Sequence, residues 1–425
     1  MTTSPETGQR PPLLRPRIPV RSIIQRVLLA FFLLQLLTAA VLQVVSRIRR
    51  LRQKAKTFPH RELDEIAVGE NNHLKLYSYG CDLYDDMLKA IDEAKDCIMI
   101  ESFIWKGDAI GRAFRDHLAK KAEEGVDVYV IFDAFGNLVV PRAFKSSFPK
   151  NVHLFEFMPV QRIWHIFDPR RYALDHRKIL VVDGEISFIG GYNIGSVYAT
   201  QWRDTHLRIR GEASATLANS FIAFWNRFKP HGIEIERHYQ TQFNPLISVH
   251  GNDAIRLTFP IRDMYIDAID RAQNCILLTN AYFLPDHALL AALKNAARRG
   301  VDVRILVPWV SNHILTDWIS HGYFHECLQA GIRIFSYRHS MLHAKTCTID
   351  DEWSTVGTAN LDRLSSIGNF EINVEIYSEE FARQMHTLFD YDTSDTFELT
   401  LEDWAKRPWY VKASEKLLAP WRFMM

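Results

Sequence analysis

Cysteine is scarce in this chain of 425 residues, which has five, at positions 81, 97, 275, 327 and 347. The number is odd and no two of them form a C-x-x-C pair, which argues against a disulfide framework and against a cysteine-ligated metal site. Most of them lie in apolar strand patterns, so we expect buried, reduced thiols. That state favours a cytoplasmic location for the main part of the chain.

A broad basic surface is also missing. Residues 1–56 hold 11 of the 51 basic side chains and one acidic side chain, Glu6, so the rest carries 40 basic and 49 acidic side chains, a net charge of −9. Binding along a nucleic-acid backbone requires clustered Lys and Arg. We therefore expect no nucleic-acid partner, although a small basic pocket is still compatible with this charge.

Charge is absent from Val27 to Val45, nineteen residues that as a helix would span about 28 Å, close to the hydrocarbon core of a bilayer. We predict a disordered tail at 1–20, a transmembrane anchor at 21–46 and a basic juxtamembrane linker at 47–65. A cleaved signal peptide or a helix lying on the membrane surface are the alternatives, but no A-x-A site follows. Five basic residues precede the segment and six follow it. By the positive-inside rule this small excess only slightly favours a cytoplasmic location for the residues after the segment.

One short pattern, H-x-K-x4-D, occurs twice. The two copies are His176, Lys178, Asp183 and His343, Lys345, Asp350. The positions that correspond further along, each pair 167 residues apart like the motifs, are Gly190 and Gly357, Gly191 and Thr358, Asn193 and Asn360, and Asp204 and Glu371. Upstream, AIDEAKDCIMIE is answered by AIDRAQNCILLT. The chain is therefore an internal duplication.

Each repeat alternates amphipathic helices with buried apolar strands, which is typical of an α/β sandwich with a mixed or largely parallel sheet. The helix at 110–124, for example, should end before Gly125. We predict domains at 66–238 and 239–398, followed by a basic aromatic tail at 399–425. The tail mixes aromatic and cationic side chains, which suits either the bilayer interface or docking on the second domain.

The duplicated motif resembles that of the phospholipase D superfamily, whose members build one active site from two H-K-D copies. The resemblance implies two tandem α-β-α sandwich domains related by pseudo-twofold symmetry, with no metal and no cofactor. It further implies that one histidine attacks phosphorus while the other protonates the leaving alkoxide, and by analogy we assign these roles to His176 and His343.

The same resemblance gives roles to the remaining motif positions. The lysines would clamp the phosphate as cations, and the asparagines would donate to its oxygens. The glycines, with Thr358 in place of one, would let the backbone approach the phosphate. The carboxylates at 204 and 371 would orient the imidazoles, and the motif aspartates would position the strand.

Within the superfamily, the stretches IESFIW with Glu101, NAYFLPD at 280–286, GGYNIG and GTANLDRLS resemble bacterial cardiolipin synthases. That implies phosphatidyl transfer between two phosphatidylglycerol molecules through a phosphohistidine, in a single-pass protein of the cell membrane that meets anionic lipid. A phospholipase D hydrolase, a membrane-anchored phosphodiesterase or nuclease, and a non-catalytic scaffold are the alternatives. Arg162, Arg170 and Arg171 could bind a second headgroup or form a solvated basic loop.

Overall fold

A computed structural model of the protein describes residues 20–52, 58, 60–158, 160, 167–168, 172–228, 230–394 and 396–420. The chain divides after Arg52 into two units, an N-terminal helix and a body. The predicted tail at 1–20 falls outside the described residues except for Val20, and so do Arg162, Arg170 and Arg171.

The N-terminal unit contains one helix, α1, at Val20–Arg52. Its stretch Gln25–Val45 has a mean hydropathy of 2.4 and is long and apolar enough to cross a membrane. Twenty-one residues of helix extend over about 31 Å. The helix also includes residues 47–52, which the sequence analysis placed in the linker, because no proline or glycine interrupts that stretch.

In the first repeat of the body, the described residues form nine strands and five α-helices. They are β1 Ile66–Val68, β2 Asn72–Tyr77, α2 Gly80–Glu93, β3 Cys97–Ser102, α3 Ala109–Glu123, β4 Asp127–Asp133, α4 Arg142–Lys145, β5 Val152–Phe157, β6 Ile179–Val182, β7 Ile186–Gly190, α5 Ser196–Thr200, β8 Trp202–Arg203, β9 His206–Gly211 and α6 Ser214–Phe228.

The part of the second repeat that the structure describes continues with nine strands and seven α-helices. They are β10 Ile247–Asn252, α7 Pro260–Arg271, β11 Cys275–Asn280, α8 His287–Arg298, β12 Asp302–Pro308, α9 Ile314–Gln329, β13 Arg333–Tyr337, β14 Met341–Leu342, β15 Lys345–Ile349, β16 Trp353–Gly357, α10 Arg363–Ile367, β17 Glu371–Tyr377, α11 Glu379–Thr393, β18 Phe397–Leu399, α12 Leu401–Ala405 and α13 Trp409–Leu418.

Each repeat forms a mixed sheet of eight strands, in the orders β1-β2-β9-β7-β6-β3-β4-β5 and β10-β17-β16-β15-β11-β12-β13-β18. The strands β3, β4 and β5 are parallel, as are β11, β12 and β13, while the strands on the other side are antiparallel. Helix α3 starts at the N-cap Asp108 and ends before Gly125, which has a φ of 94°. The predicted fold class, tandem α/β sandwich domains with one apolar N-terminal helix, is confirmed.

The two sheets share a hydrophobic core, to which α6 and α11 contribute. Phe370 of the second repeat stands at its centre, with ring centroids 5.8 Å from Phe157 and 5.1 Å from Phe224 of the first repeat. Helices α2 and α3 cover the outer side of the first sheet, and α7, α8 and α9 cover that of the second. Because the core is continuous, the repeats fix each other's position.

The last two helices dock on the second domain through α9. Trp404 of α12 is buried, and its ring lies 5.3 Å from Phe324 and 5.4 Å from His321. The guanidinium of Arg407 stacks over the same indole at 3.3 Å. The described part of the tail is therefore part of the second domain, with Trp409 left 80% exposed at the surface.

Candidate active site

Two short ladders join the repeats and carry the motif histidines. Strands β8 and β14 run parallel, with Trp202 opposite Met341, and the amide of His343 then donates to the carbonyl of Arg203 at 2.7 Å. On the other side Asp175 bridges to Phe370, and the amide of His176 donates to that phenylalanine's carbonyl at 3.0 Å. Each histidine is thus held by the backbone of the opposite repeat.

The carboxylates pair with the histidines crosswise. Nδ1 of His176 lies 3.0 Å from both carboxylate oxygens of Glu371, and Nδ1 of His343 lies 2.6 Å from Oδ2 of Asp204. All four side chains are buried or nearly so. Each carboxylate therefore orients the histidine of the other repeat.

Each lysine is held beside its own histidine. Nζ of Lys178 donates to the carbonyl of His176 at 2.6 Å, and Nζ of Lys345 donates to the carbonyl of His343. Burial lowers the pKa of Lys178 to about 7 and that of Lys345 to about 8, and the charge of Lys345 lowers the pKa of Lys178 further. An anion bound between the lysines would oppose both effects.

The two histidine–carboxylate pairs differ in protonation. Burial lowers the pKa of His343 to about 3 and moves that of His176 well below its ordinary value, so both imidazoles are neutral at pH 7. Burial also raises the pKa of Glu371 to about 8. For Asp204 the effect of burial is outweighed by Lys345 and His343, which together lower its pKa. The pair around Asp204 therefore holds the ionised carboxylate.

Gly191 and Thr358 explain why the two acids differ in length. A Cβ at Gly191 would lie 2.0 Å from Oδ1 of Asp204, so the shorter acid sits against bare backbone. In the second repeat the hydroxyl of Thr358 instead donates to Oε2 of Glu371 at 2.6 Å. Gly191 and Thr358 therefore seat the two carboxylates, and close approach of the backbone to phosphate at this position stays a prediction.

The glycines one residue earlier also make room for side chains of the site. A Cβ at Gly190 would lie 2.8 Å from Nδ1 of His206, and one at Gly357 would lie 2.2 Å from Oδ1 of Asn373. His206 and Asn373 occupy corresponding places in the two repeats, and both are buried. These contacts make alanine unfavourable at both glycines.

The predicted asparagines are both buried near the motif strands. Oδ1 of Asn193 accepts from the amide of Ile104 at 3.0 Å. Oδ1 of Asn360 is buried and has no hydrogen-bond partner within the described part of the chain. Buried polar atoms usually have a partner, so this oxygen is available to a hydrogen-bond donor.

The motif aspartates lie apart from this cluster, at the far ends of the motif strands. The carboxylate of Asp183 accepts from the amides of residues 95, 96 and 97 at 2.9 Å each. Asp350 accepts from those of residues 273, 274 and 275 at 2.7–2.9 Å. Both have φ values of 54°. They anchor the turn after each strand, away from the histidines and lysines.

Three aromatic rings complete the site, and the motif spacing did not reveal them. Phe103 lies with its ring centroid 4.9 Å from His176, and Trp202 and Tyr282 lie 4.9 Å and 6.1 Å from His343. Phe103 directly follows β3, and Tyr282 lies two residues after β11. An aromatic side chain close behind each of these two strands is the sequence signal that could have identified them.

A buried charged cluster lies beside His176 alone. Nη2 of Arg177 is 2.6 Å from Oε1 of Glu101, and its Nε is 3.5 Å from Oδ1 of Asp175. Burial raises the pKa of both carboxyl groups, although the arginine opposes it. The second repeat has Thr279, Leu342 and Ala344 at the corresponding positions. The two halves of the site are therefore chemically unequal.

Comparison with known proteins identifies the family of this chain. The family model described as "Cardiolipin synthase, PLD-like domain" matches residues 87–225 and 265–393. A protein of Listeria innocua named cardiolipin synthase is 32% identical over 407 residues, covering 88% of this chain and 83% of the relative. A Staphylococcus aureus protein of the same name is 34% identical over 368 residues, with 82% and 74% covered.

Solved structures share the fold at much lower sequence identity. A phosphatidylserine synthase of Haemophilus influenzae matches with a TM-score of 0.65 and 15% identity, over 89% of this chain and 98% of that one. A polyphosphate kinase of Porphyromonas gingivalis matches with a TM-score of 0.52 and 13% identity, over 83% and 53%. At such identities the likeness concerns the fold alone.

Proposed function

This chain belongs to the cardiolipin synthase family of phospholipase D-like proteins, and we propose that it transfers the phosphatidyl group of one phosphatidylglycerol to a second one, releasing glycerol. It is a phosphatidyltransferase. The observation that carries the proposal is the crosswise pairing, in which His176 and His343 each have Nδ1 on a buried carboxylate. That contact leaves Nε2 of each ring for proton or phosphoryl transfer.

In the first half-reaction Nε2 of His176 attacks phosphorus and the bond from phosphorus to the glycerol oxygen breaks. His343 gives its proton to the departing oxygen, so glycerol leaves and a phosphatidyl-histidine remains. In the second half-reaction the terminal hydroxyl of another phosphatidylglycerol gives its proton to His343 and attacks phosphorus. The bond from phosphorus to nitrogen breaks, and cardiolipin is released.

The division of roles follows from the unequal carboxylates. An ionised carboxylate stabilises an imidazolium, and Asp204 beside His343 is the acid with the lowered pKa. The raised pKa of Glu371 suits a neutral His176 that donates through Nδ1 and attacks through Nε2. We assign His176 as nucleophile and His343 as general acid and base.

Substrate binding allows His343 to take up from solvent the proton that it then gives to the departing glycerol oxygen. The positive charges of Lys345 and Lys178 contribute to its low pKa, after burial. The negative phosphodiester placed between these lysines offsets their charge and raises the pKa of the imidazole. The lysines then hold the non-bridging oxygens, with Asn193 and Asn360 as amide donors.

Exchange of one phosphodiester for another needs no nucleotide. The residues described here can offset the phosphate charge with two lysines, so we propose a reaction with neither metal nor cofactor. We further propose that the stretch Gln25–Val45 anchors the enzyme in the cell membrane, where phosphatidylglycerol and other anionic lipids are its partners. The basic residues on both sides of the anchor lean toward a cytoplasmic body.

A lipid assay tests the proposal. Full-length protein in vesicles of phosphatidylglycerol should form cardiolipin and glycerol in equal amounts, measured by mass spectrometry. His176→Ala and His343→Ala should each lose both products while keeping the melting temperature. Phosphatidic acid as the main product would instead make the protein a phospholipase D hydrolase, because water would then be the acceptor.

A further inference from the structure

The loop that connects β4 to α4, residues 134–140, exposes apolar side chains and buries its amide. Phe135, Leu138 and Val139 are 63%, 71% and 79% exposed, whereas Asn137 between them is 1% exposed. A loop that faces water has the opposite arrangement, with its polar side chains outside. Contiguous exposed apolar side chains mark a surface that meets something other than water.

Hydrogen bonds hold this loop in its shape. Oδ1 of Asn137 accepts from the amide of Trp105 at 2.8 Å, and its Nδ2 donates to the carbonyls of Phe103 and Asp133 at 2.9 and 2.7 Å. The amide of Gly136 donates to Oδ1 of Asp133 at 2.8 Å. Because the asparagine amide is fully used, the exposed side chains are fixed outward and cannot fold onto the core.

The base of the loop contacts the catalytic site. A Cβ at Gly136 would lie 2.4 Å from the carbonyl oxygen of Phe103, so the two segments touch, and the ring of Phe103 lies 4.9 Å from His176. Oδ2 of Asp133, at the start of the loop, accepts from the amide of Asp175, the residue before that histidine. The exposed side chains therefore stand beside the proposed nucleophile.

We propose that Phe135, Leu138 and Val139, with the half-exposed Met158 at the end of β5, form an apolar wedge that enters the acyl layer of the bilayer beside His176. The inference rests on the proposed function, in which the substrate is a membrane phospholipid. The phosphodiester of such a lipid lies at the boundary between headgroups and acyl chains, and a histidine next to an inserted wedge reaches that depth. A protein seated on the wedge would instead separate the histidine from the bilayer.

Kinetics with two forms of the substrate test the wedge. The double variant Leu138→Ser/Val139→Ser, as full-length protein, should lose at least about tenfold in kcat/KM on phosphatidylglycerol vesicles, as expected from losing the transfer free energy of buried apolar side chains. On monomeric short-chain phosphatidylglycerol it should stay within about twofold of the unsubstituted protein. Phe243→Ser is the matched control. Phe243 is 92% exposed and belongs to the segment that connects α6 to β10, outside the proposed wedge. An equal loss on both substrates overturns the wedge.

A fluorescence measurement tests insertion without relying on turnover. An environment-sensitive probe attached to Leu138→Cys should shift to the blue on vesicles of phosphatidylglycerol and of phosphatidylcholine, whereas a probe on Phe243→Cys should not. No shift at position 138, or a shift that appears without lipid as protein concentration rises, overturns the proposal, the second outcome indicating contact between copies. A shift in a protein that forms no cardiolipin would defeat the proposed function and leave the wedge standing.

Discussion

His343 and Asp204 belong to different repeats and lie 139 residues apart, yet Nδ1 of the ring is 2.6 Å from a carboxylate oxygen. The same relation joins His176 to Glu371 across 195 residues. One histidine of each repeat is thus oriented by the acid of the other.

Asp204→Asn should lower kcat roughly 10²- to 10⁴-fold, because the amide cannot stabilise the imidazolium of His343 as the carboxylate does. Glu371→Gln should cost less, since the raised pKa of that acid means that it already acts largely as a neutral partner. Initial rates on phosphatidylglycerol vesicles compare the two variants, and melting curves show that both are folded. Equal losses would contradict the unequal roles assigned to the two acids.

Thr358→Val should lower activity and stability together. It removes the hydroxyl that donates to Oε2 of Glu371 and leaves a buried polar atom with one donor fewer, a loss of about 1–3 kcal/mol in the free energy of unfolding. Thr358→Ser keeps the hydroxyl and serves as the control. Denaturant unfolding measures the first effect, and a valine variant as stable as the serine variant would show that the contact contributes nothing.

Asp183→Ala should destabilise the fold without disabling the chemistry. Three amide hydrogen bonds are lost, each worth about 0.5–1.5 kcal/mol, and alanine is strained at a φ of 54°. The kcat of the folded fraction should remain within about twofold of the parent. Asp183→Asn retains an acceptor and tolerates this backbone conformation, so it should lose less stability. A large fall in kcat at full folding would restore the aspartate to the catalytic group.

The pH dependence of kcat/KM should follow the loss of protons from Lys178 and Lys345. Their pKa values in the free enzyme are lowered to about 7 for Lys178 and about 8 for Lys345, so raising the pH through this range removes the charges that bind phosphate. We expect kcat/KM for phosphatidylglycerol to fall between pH 7 and pH 8. The fall in kcat should lie at higher pH, because bound phosphate stabilises the protonated lysines. Initial rates from pH 6 to 9 at constant ionic strength measure both profiles.

The duplicated spacing in the sequence was sufficient to predict the repeats and the fold class. It could not predict which acid meets which histidine. That pairing depends on how two folded sheets dock, and residues 167 apart look alike in either arrangement. Phe370, which sits in the shared core, fixes the docking, but in the sequence it reads as an ordinary apolar residue before a strand.

Two further features could not be predicted from the sequence. The motif copies look equivalent, so the charged cluster of Glu101, Asp175 and Arg177 beside only one histidine was visible only once the strands were placed. The stretch AFGNLVV after β4 is typical of an apolar turn. Its composition does not indicate that the side chain of Asn137 is buried while Phe135, Leu138 and Val139 are exposed. The roles of the site residues stay predictions until the variants are measured.

The crosswise contacts also limit how this protein can have arisen and how it can change. A single ancestral repeat would contain a histidine, a lysine and an acid, yet it would complete a site only by pairing with a second copy around a twofold axis. With both repeats in one chain the pairing is always present, and the two acids differ, Asp204 in the first repeat and Glu371 in the second. Each acid contacts the histidine of the other repeat, so removing either half would leave the remaining histidine without its acid.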